Sequence, residues 1–331
     1  MAFQVLISAS MIDQNPDSLQ AFADAGMSVF HISPADARDS EKLTQALSKA
    51  DGCIIGGYRV SAQIMDQCPQ LKVISRTGVG VETVDLEAAT RRGIAVTNIA
   101  GTDHDAVADA TFCLMLDMAR RFYQGAQQVR AGRWEGIFGA DVSEKTIGII
   151  GLGRAGKETA KRARGFRMKI LAFDPVRDES FARENGVLYT SLEDLLKQAD
   201  FVCLNAALTP ANRGLINRQT LALMKPTAYL INTARGGLVD EDALLEALRE
   251  QRIAGAALDV LATEPPPADH PFLKMDNVMI TPHMGGSSIG ASARVAKVAV
   301  LNVIEVLQGR QPERTVNKEV WQQAAIPFQP S

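Results

Sequence analysis

A glycine-rich turn in the middle of the chain constrains the fold more than any other feature. Residues 146–156 read TIGIIGLGRAG, an apolar run that leads into the pattern G-x-G-x-x-G. In that pattern Gly151 allows a tight turn, Gly153 lets a pyrophosphate approach the backbone, and Gly156 lets the next helix pack against the strand. Asp174 closes the following apolar run, at the spacing expected for a carboxylate that binds a ribose hydroxyl.

This pattern predicts a Rossmann unit that binds a dinucleotide, and the alternative is a tight strand-to-helix turn that binds nothing. The start of the helix would offer free N–H groups and a partial positive charge to the phosphates. The predicted contacts in this part of the chain are Gly151, Gly153, Arg154, Ala155, Gly156 and Asp174.

The turn does not open the chain, because 145 residues precede Thr146. Short apolar segments alternate with amphipathic segments on both sides of the turn, which predicts repeated βα units and parallel sheets covered by helices on both faces. We therefore predict an α/β fold with two doubly wound parallel-sheet domains, a Rossmann domain inserted into a flavodoxin-like domain. Strands are predicted at 3–8, 28–32, 53–55, 71–75, 94–97, 146–150, 169–173, 201–204, 228–232, 253–260 and 278–281, and helices at 15–25, 40–50, 61–68, 86–92, 105–130, 215–224, 240–250 and 288–307.

The helices predicted at 105–130 and 288–307 would carry the chain from one domain to the other and back. The substrate domain is then predicted at 1–100 and 286–331, and the dinucleotide-binding domain at 101–285. Ligands in such folds bind at the carboxyl ends of the strands, in a cleft. The polar sequence around Val316 and Asn317 is predicted to be peripheral, and Ser40 is predicted to cap the helix that it begins.

Composition argues against several other classes of protein. The formal net charge of −3 gives no basic footprint for nucleic acid. The sequence contains no apolar stretch of the length that a membrane helix needs, and the apolar start of the chain is too short for a signal peptide. The four cysteines are scattered, so we expect no metal site and no disulfide framework, and we expect a cytoplasmic protein.

Three residues downstream of the turn have side chains suited to hydride chemistry on a 2-hydroxy acid. Arg235, Glu264 and His283 each follow a predicted strand, so their side chains are expected at the same sheet edge as the glycine turn. Histidine can take the hydroxyl proton near neutral pH, and a neighbouring carboxylate stabilises the imidazolium. Arginine can bind a substrate carboxylate through paired hydrogen bonds. Each residue alone could equally be a surface or capping residue, and the prediction rests on their combination.

With five motifs the chain resembles the D-isomer-specific 2-hydroxyacid dehydrogenase family, and most closely its phosphoglycerate-dehydrogenase-like branch. These motifs lie at 76–85, 151–156, 232–241, 258–265 and 281–288. The resemblance covers nearly the whole chain and implies a nicotinamide cofactor, a small anionic D-2-hydroxy or 2-oxo acid as substrate, and a homodimer. The substrate would be similar to phosphoglycerate or hydroxypyruvate.

The resemblance also implies a role for each site residue. His283 would be the acid/base, Glu264 its carboxylate partner and Arg235 the arginine that binds the substrate. The turn of Gly78, Val79 and Gly80 would offer N–H groups to the substrate carboxylate, and Asp259 would face the nicotinamide amide. Further cofactor contacts are expected at Ala206, Thr233, Ala234 and Gly285.

Asp174 favours NAD over NADP, because a 2′-phosphate would meet a like charge, although Arg177 lies close enough in sequence to soften that repulsion. The chain departs from the family pattern at Asp103, Asp109, Asn205 and Ala207 and in the segment 57–59, which leaves the substrate open. Tyr58, Arg59 and Arg76 could bind an anionic group or could be surface residues, and His31 and His270 are expected to be structural.

Two other functions remain open at this point. One is a non-enzymatic NAD(H)-sensing protein like the transcriptional corepressors that share this fold. The other is a formate dehydrogenase, although that branch places Gln where this chain has Glu264.

Overall fold

The structure is a computed structural model that describes residues 2–322. These residues form two compact units, one made of 2–103 together with 288–322 and the other of 104–287. The strands are β1 Gln4–Ile7, β2 Ser28–His31, β3 Gly52–Ile55, β4 Val73–Arg76, β5 Ala95–Thr97, β6 Thr146–Ile150, β7 Lys169–Phe173, β8 Val187–Tyr189, β9 Phe201–Leu204, β10 Tyr229–Asn232, β11 Gly255–Leu258 and β12 Val278–Ile280. The α-helices are α1 Ser10–Asp13, α2 Pro16–Asp24, α3 Ser40–Leu47, α4 Ala62–Asp66, α5 Leu86–Arg91, α6 His104–Arg120, α7 Phe122–Arg130, α8 Arg154–Gly165, α9 Glu179–Asn185, α10 Leu192–Gln198, α11 Arg218–Leu221, α12 Glu241–Arg249 and α13 Ile289–Leu307.

The first unit contains a five-stranded parallel sheet in the order β2-β1-β3-β4-β5. This is the strand order of flavodoxin-like folds. One face packs against α1, α2 and α13 through a buried apolar cluster, and the other packs against α3, α4 and α5. The flavodoxin-like prediction is confirmed.

The second unit contains a seven-stranded parallel sheet in the order β12-β11-β10-β9-β6-β7-β8. Numbered within the unit, this is the Rossmann order with one added strand, and the order reverses between β6 and β9. Apolar clusters cover both faces, with α10, α11 and α12 on one side and α6, α8 and α9 on the other. The Rossmann prediction is confirmed, and the reversal point carries the glycine-rich turn.

The end of the described chain completes the first unit, so its prediction as peripheral sequence is wrong. The Ser75 hydroxyl on β4 donates to the Ala299 carbonyl of α13 at 3.1 Å, and both groups are buried. Thr315 then forms an antiparallel bridge with Thr97, the last residue of the edge strand β5. Asn317 is only 4% exposed, because its side chain binds the backbone of β5. This segment covers a sheet edge that would otherwise present unpaired backbone groups.

Three helix predictions differ from the structure for local reasons. The helix predicted at 105–130 is two helices, because Arg121 adopts a left-handed φ of 57° and the Asp117 carboxylate caps the second helix at the Tyr123 N–H. The helix predicted at 215–224 contains only Arg218–Leu221, because the Asn217 side chain caps it there. Asp39, not Ser40, caps α3. Four further elements, α1, β8, α9 and α10, were not predicted from the sequence.

Replacing Asn317 by Ala is expected to destabilise the first unit. The side-chain oxygen accepts from the Val96 N–H at 2.7 Å, and the amide donates to the Ile94 carbonyl at 2.9 Å. Leaving such buried groups without a partner costs about 1–3 kcal/mol. Urea unfolding should show a loss of this size for Asn317→Ala, whereas Lys318→Ala, an exposed neighbour, should stay within about 0.5 kcal/mol of the unsubstituted protein. An equal effect of both substitutions would contradict this account.

Candidate active site

The three residues predicted for hydride chemistry follow neighbouring strands of the second unit. Arg235 follows β10, Glu264 follows β11 and His283 follows β12, and these strands are adjacent in the sheet. Because the strands are parallel, their carboxyl ends lie at one edge of the sheet. The structure therefore brings together the loops that carry the three residues.

His283 and Glu264 form a direct pair. The His283 Nδ1 lies 2.7 Å from Glu264 Oε2, and the other carboxylate oxygen of Glu264 accepts the Leu261 N–H at 2.9 Å. The His283 side chain is 51% exposed, so one side of the ring can meet a ligand while the other is held. His283 has a φ of 52°, in the left-handed region that few non-glycine residues adopt. Such backbone strain is common at functional sites.

The pair also sets the protonation of both groups. Burial on its own raises the pKa of Glu264, but the hydrogen bonds from His283 and the Leu261 N–H, with the nearby positive charges, bring that pKa below its usual value. The hydrogen bond to Glu264 raises the pKa of His283, although burial opposes it; the charge of Asp259 raises this pKa further and that of Arg235 lowers it. The imidazole can therefore carry a proton beside an ionised carboxylate.

Asp259 holds the backbone that carries His283. Its carboxylate is 3% exposed and accepts the Met284 N–H at 2.9 Å and the Gly285 N–H at 2.7 Å. The Thr281 hydroxyl donates to the same carboxylate at 2.6 Å. These contacts give Asp259 a clear structural role, and its contact with a nicotinamide amide remains a prediction.

Arg235 lies in a loop that is packed tightly against the turn before Glu264. Its guanidinium donates to the Ala234 carbonyl at 2.7 Å. The next residue, Gly236, has no room for a side chain, since a Cβ atom there would lie 2.0 Å from the Leu261 carbonyl carbon. The Arg235 loop and the Glu264 turn therefore hold fixed positions relative to each other.

The glycine-rich turn has the shape that a dinucleotide needs. Gly151 has a φ of 94°, and a Cβ atom there would meet the backbone of Ala206 at 2.5 Å. At Gly156 a Cβ atom would lie 2.0 Å from the Gly151 carbonyl oxygen, so only glycine allows α8 to start so close to β6. At Gly153, in contrast, nothing lies within 4 Å of the added atom. The open space is at the glycine that a pyrophosphate would approach, which fits a bound dinucleotide.

Other residues predicted for the cofactor lie around this turn. Asp174 follows β7, and its two carboxylate oxygens accept the Leu152 N–H at 2.7 Å and the Val176 N–H at 2.8 Å. Thr233 follows β10, and its hydroxyl lies 2.8 Å from the hydroxyl of Thr111 on α6. The contact of Thr111 with Thr233 was not predicted, and the available signal was a hydroxyl residue on the apolar face of a helix.

The predicted substrate turn lies in the first unit, directly after β4. The Asn98 side chain donates to the Val79 carbonyl at 2.9 Å, and the Arg76 guanidinium donates to the Gly80 carbonyl at 3.4 Å. Arg76 is buried, so it supports this turn rather than lying on the surface. The contact of Gly78, Val79 and Gly80 with a substrate carboxylate remains a prediction.

Among residues 2–322, no helix combines the length and the apolar character needed to cross a membrane.

Comparisons with known proteins agree with this geometry. A family model described as the NAD-binding domain of D-isomer specific 2-hydroxyacid dehydrogenases matches residues 112–285. The chain is 41% identical over 267 residues to a glyoxylate reductase of Korarchaeum cryptofilum, which covers 79% of this chain and 80% of that relative. It is 39% identical over 305 residues to a D-3-phosphoglycerate dehydrogenase of Methanocaldococcus jannaschii, which covers 91% of this chain and 57% of that relative.

Solved structures give the same result. The crystal structure of a protein from Thermus thermophilus matches with a TM-score of 0.84 and 38% identity, over 95% of this chain and 99% of that one. An acyclic imino acid reductase in complex with NADPH and D-Arg matches with a TM-score of 0.82 and 25% identity, over 95% and 99% of the two chains. None of these findings favours the non-enzymatic alternative, and the predicted family resemblance is confirmed. The chain belongs to the D-isomer-specific 2-hydroxyacid dehydrogenase family and is an oxidoreductase of 2-hydroxy acids with the NAD-binding domain of that family.

Proposed function

We propose that this protein interconverts a small 2-oxo acid of about the size of glyoxylate and the corresponding 2-hydroxy acid, with NAD(H) as the cofactor. The observation that carries the proposal is the 2.7 Å contact between His283 and Glu264, in which half of the imidazole stays exposed. The glyoxylate reductase relatives, at 41% and 44% identity, support the substrate size.

His283 is proposed to move the proton of the reaction. Its Nδ1 faces Glu264, which leaves Nε2 for the substrate oxygen. During reduction the protonated ring donates to the developing hydroxyl, and during oxidation the neutral ring accepts that proton. With its pyrophosphate bound at the glycine-rich turn, the cofactor would supply or accept the hydride through its nicotinamide ring. Arg235 is proposed to bind the substrate carboxylate, because a planar guanidinium can make two parallel hydrogen bonds.

The raised pKa of His283 suits the reductive direction. Since Glu264 keeps the ring protonated to a higher pH, the proton donor persists above the pH at which an ordinary histidine would lose it. Reduction should therefore decline as the pH rises through the pKa of His283, and oxidation should gain over the same range.

The preference for NAD over NADP is supported by the charges around Asp174. Its carboxylate is fixed at the turn by two backbone N–H groups, so a 2′-phosphate nearby would meet a negative charge. Arg177, which could compensate, lies over the Tyr189 ring at 5.2 Å and 3.9 Å from Glu179. The Arg177 guanidinium thus already interacts with an aromatic ring and a carboxylate, which supports the preference for NAD over NADP.

A homodimer is proposed because of an exposed apolar segment in the second unit. Helix α7 has no buried residue, and the segment after it places Trp134 at 90% and Phe138 at 98% exposure. Apolar surface of this kind marks an interaction site, and a second copy of the chain would cover it.

A cytoplasmic location is also proposed, since all four cysteines are free thiols; cell fractionation would test it.

Turnover of a panel of 2-oxo acids tests the proposed function. Glyoxylate, hydroxypyruvate, pyruvate and phosphohydroxypyruvate are each supplied with NADH or NADPH, and loss of absorbance at the reduced nicotinamide band is followed. We expect the highest kcat/KM with glyoxylate or hydroxypyruvate and NADH. A higher kcat/KM with phosphohydroxypyruvate would overturn the proposed substrate. A higher kcat/KM with NADPH than with NADH would overturn the proposed cofactor.

His283→Ala tests the proposed role of His283 in proton transfer. Loss of a positioned general acid costs about 10²- to 10⁴-fold in rate. NADH binding, measured by fluorescence, should change little, because the glycine-rich turn follows β6 whereas His283 follows β12. Turnover at the rate of the unsubstituted enzyme would remove His283 from the mechanism.

Two glycine substitutions separate the fold from cofactor binding. Gly153→Ala adds a Cβ atom with nothing within 4 Å, so stability should stay within about 0.5 kcal/mol while NADH affinity falls about tenfold or more. Gly156→Ala pushes a Cβ atom against the Gly151 carbonyl and should cost about 1–3 kcal/mol of stability as well. Thermal unfolding and NADH titration distinguish the two effects. Unchanged NADH affinity in Gly153→Ala would contradict the assigned pyrophosphate position.

Sedimentation equilibrium tests the dimer. We expect twice the 35.7 kDa mass of the chain, and a shift toward the monomer in Phe138→Asp combined with Trp134→Asp. Leu188→Asp, at another exposed apolar position in the same unit, is the matched control and should leave the mass unchanged. A monomer before any substitution would rule out the dimer.

A further inference from the structure

A second carboxylate–imidazole pair, formed by Glu241 and His270, lies behind the Glu264 turn. Glu241 is the first residue of α12, and one of its carboxylate oxygens accepts the Ala262 N–H at 2.7 Å. Its other oxygen lies 3.6 Å from His270 Nε2. Both side chains are largely buried, at 23% exposure for Glu241 and 14% for His270. We name Glu241 and His270 the supporting pair.

The surroundings of His270 fix which way its ring points. Its Nδ1 accepts the Phe272 N–H at 3.4 Å, and a nitrogen that accepts a hydrogen bond carries no proton. The single proton of the neutral ring is then on Nε2, the nitrogen that faces Glu241. The ring also packs on Phe272, which is 1% exposed and belongs to the apolar core. His270 therefore lies between the Glu241 carboxylate and the apolar core of the second unit.

The supporting pair acts on the turn that carries the Glu264 contact. Two consecutive N–H groups of this turn bind two different carboxylates, with Leu261 donating to Glu264 and Ala262 donating to Glu241. Gly236 packs against the same turn from the Arg235 loop, with no room for a Cβ atom. Glu241 and the Arg235 loop thus both contact the peptide between Leu261 and Ala262.

We propose that Glu241 and His270 are positioning residues for the reaction, which hold the turn 261–262 so that Glu264 stays in contact with His283. This inference rests on the proposed roles of Glu264 and His283. The mechanism needs the 2.7 Å contact, and a displacement of about 1 Å at such a contact costs up to about a hundredfold in rate. Neither residue of the supporting pair needs to touch the substrate or the cofactor.

Four variants test the proposal. Glu241→Ala removes the acceptor of the Ala262 N–H and should lower kcat about ten- to a hundredfold, with the KM for NADH unchanged. Glu241→Gln keeps a carbonyl oxygen for that N–H and should recover most of the rate. His270→Asn keeps an acceptor for the Phe272 N–H but removes the donor that faces Glu241, and it should lower kcat severalfold. Asp242→Ala is the matched control, since it removes an exposed carboxylate from the same first turn of α12.

The pKa of His283 gives a readout that a merely structural role would not move. Glu264 raises this pKa, so its displacement in Glu241→Ala should shift the declining limb of the reduction profile to lower pH. Asp259 and Arg235, the other charged groups that act on His283, remain in every variant. Titration of the His283 ring by NMR, assigned among the four histidines with His283→Ala, measures the same shift without turnover.

The outcomes separate this inference from the proposed function. If the unsubstituted protein turns over no 2-oxo acid, the proposed function fails, and the NMR titration still decides whether Glu241 positions Glu264. If the protein is active and Glu241→Ala only lowers the melting temperature, with kcat per NADH-binding site and the His283 pKa unchanged, the supporting pair is structural and the proposal is wrong. Should Glu241→Ala fail to fold, His270→Asn gives the same readouts, because it removes the group that faces Glu241. If His270→Asn matches the unsubstituted protein in both kcat and the His283 pKa, the proposal is overturned.

Discussion

The geometry of the candidate active site depends on the hydrogen bonds that the buried Asp259 carboxylate accepts from the His283 loop. A charge that is 3% exposed is costly unless hydrogen bonds compensate it, and here the Thr281 hydroxyl and the N–H groups of Met284 and Gly285 do so. Hydrogen bonds to charged groups contribute about 1.5–3 kcal/mol each. The carboxylate and the loop therefore stabilise each other, and the left-handed backbone of His283 lies in the middle of that loop.

Glycines occur where the loops of this edge meet one another. Gly236 faces the backbone of Leu261, Gly285 faces the Asp259 carboxylate and Gly151 faces Ala206. At each of these places a side chain would separate two loops that carry site residues from different strands. The parallel sheet brings the loops to one edge, and the absent side chains let them approach to contact distance. The precision of the site thus comes from backbone packing as much as from its charged side chains.

The sequence allowed the class of fold and the location of the site to be predicted, because both follow from periodic patterns. Parallel strands end at one edge, so a residue that follows an apolar run could be assigned to the site without coordinates. The break at Arg121 could not be predicted, since the apolar pattern of 105–130 continues through it and the cause is one Asp117 contact. Asn317 was misjudged for a related reason. A polar residue in a polar segment gives no sign that its amide replaces a missing strand partner.

The contacts that orient the loops of the site were beyond the reach of the sequence. Sequence patterns placed Arg235, Glu264 and His283 at one sheet edge, but the side chains that orient their loops lie far away along the chain. Glu241 and Thr111 are examples, since each binds a residue of another loop through one polar group. His270 was expected to be structural, and its contact with Glu241 became visible only in three dimensions.

The protonation of the Glu264–His283 pair depends on geometry because burial and hydrogen bonding act on it in opposite directions. Burial favours the neutral form of both groups, whereas their mutual hydrogen bond favours the charged forms. For His283 the 2.7 Å hydrogen bond outweighs burial, so its pKa is raised. For Glu264 burial is opposed by this hydrogen bond together with the Leu261 N–H and the nearby positive charges, so its pKa is lowered. If the two groups moved apart, His283 would lose the contact that raises its pKa most, and the ring would lose its proton more readily. The protonation of the Glu264–His283 pair is therefore a property of the loops that hold the two side chains together.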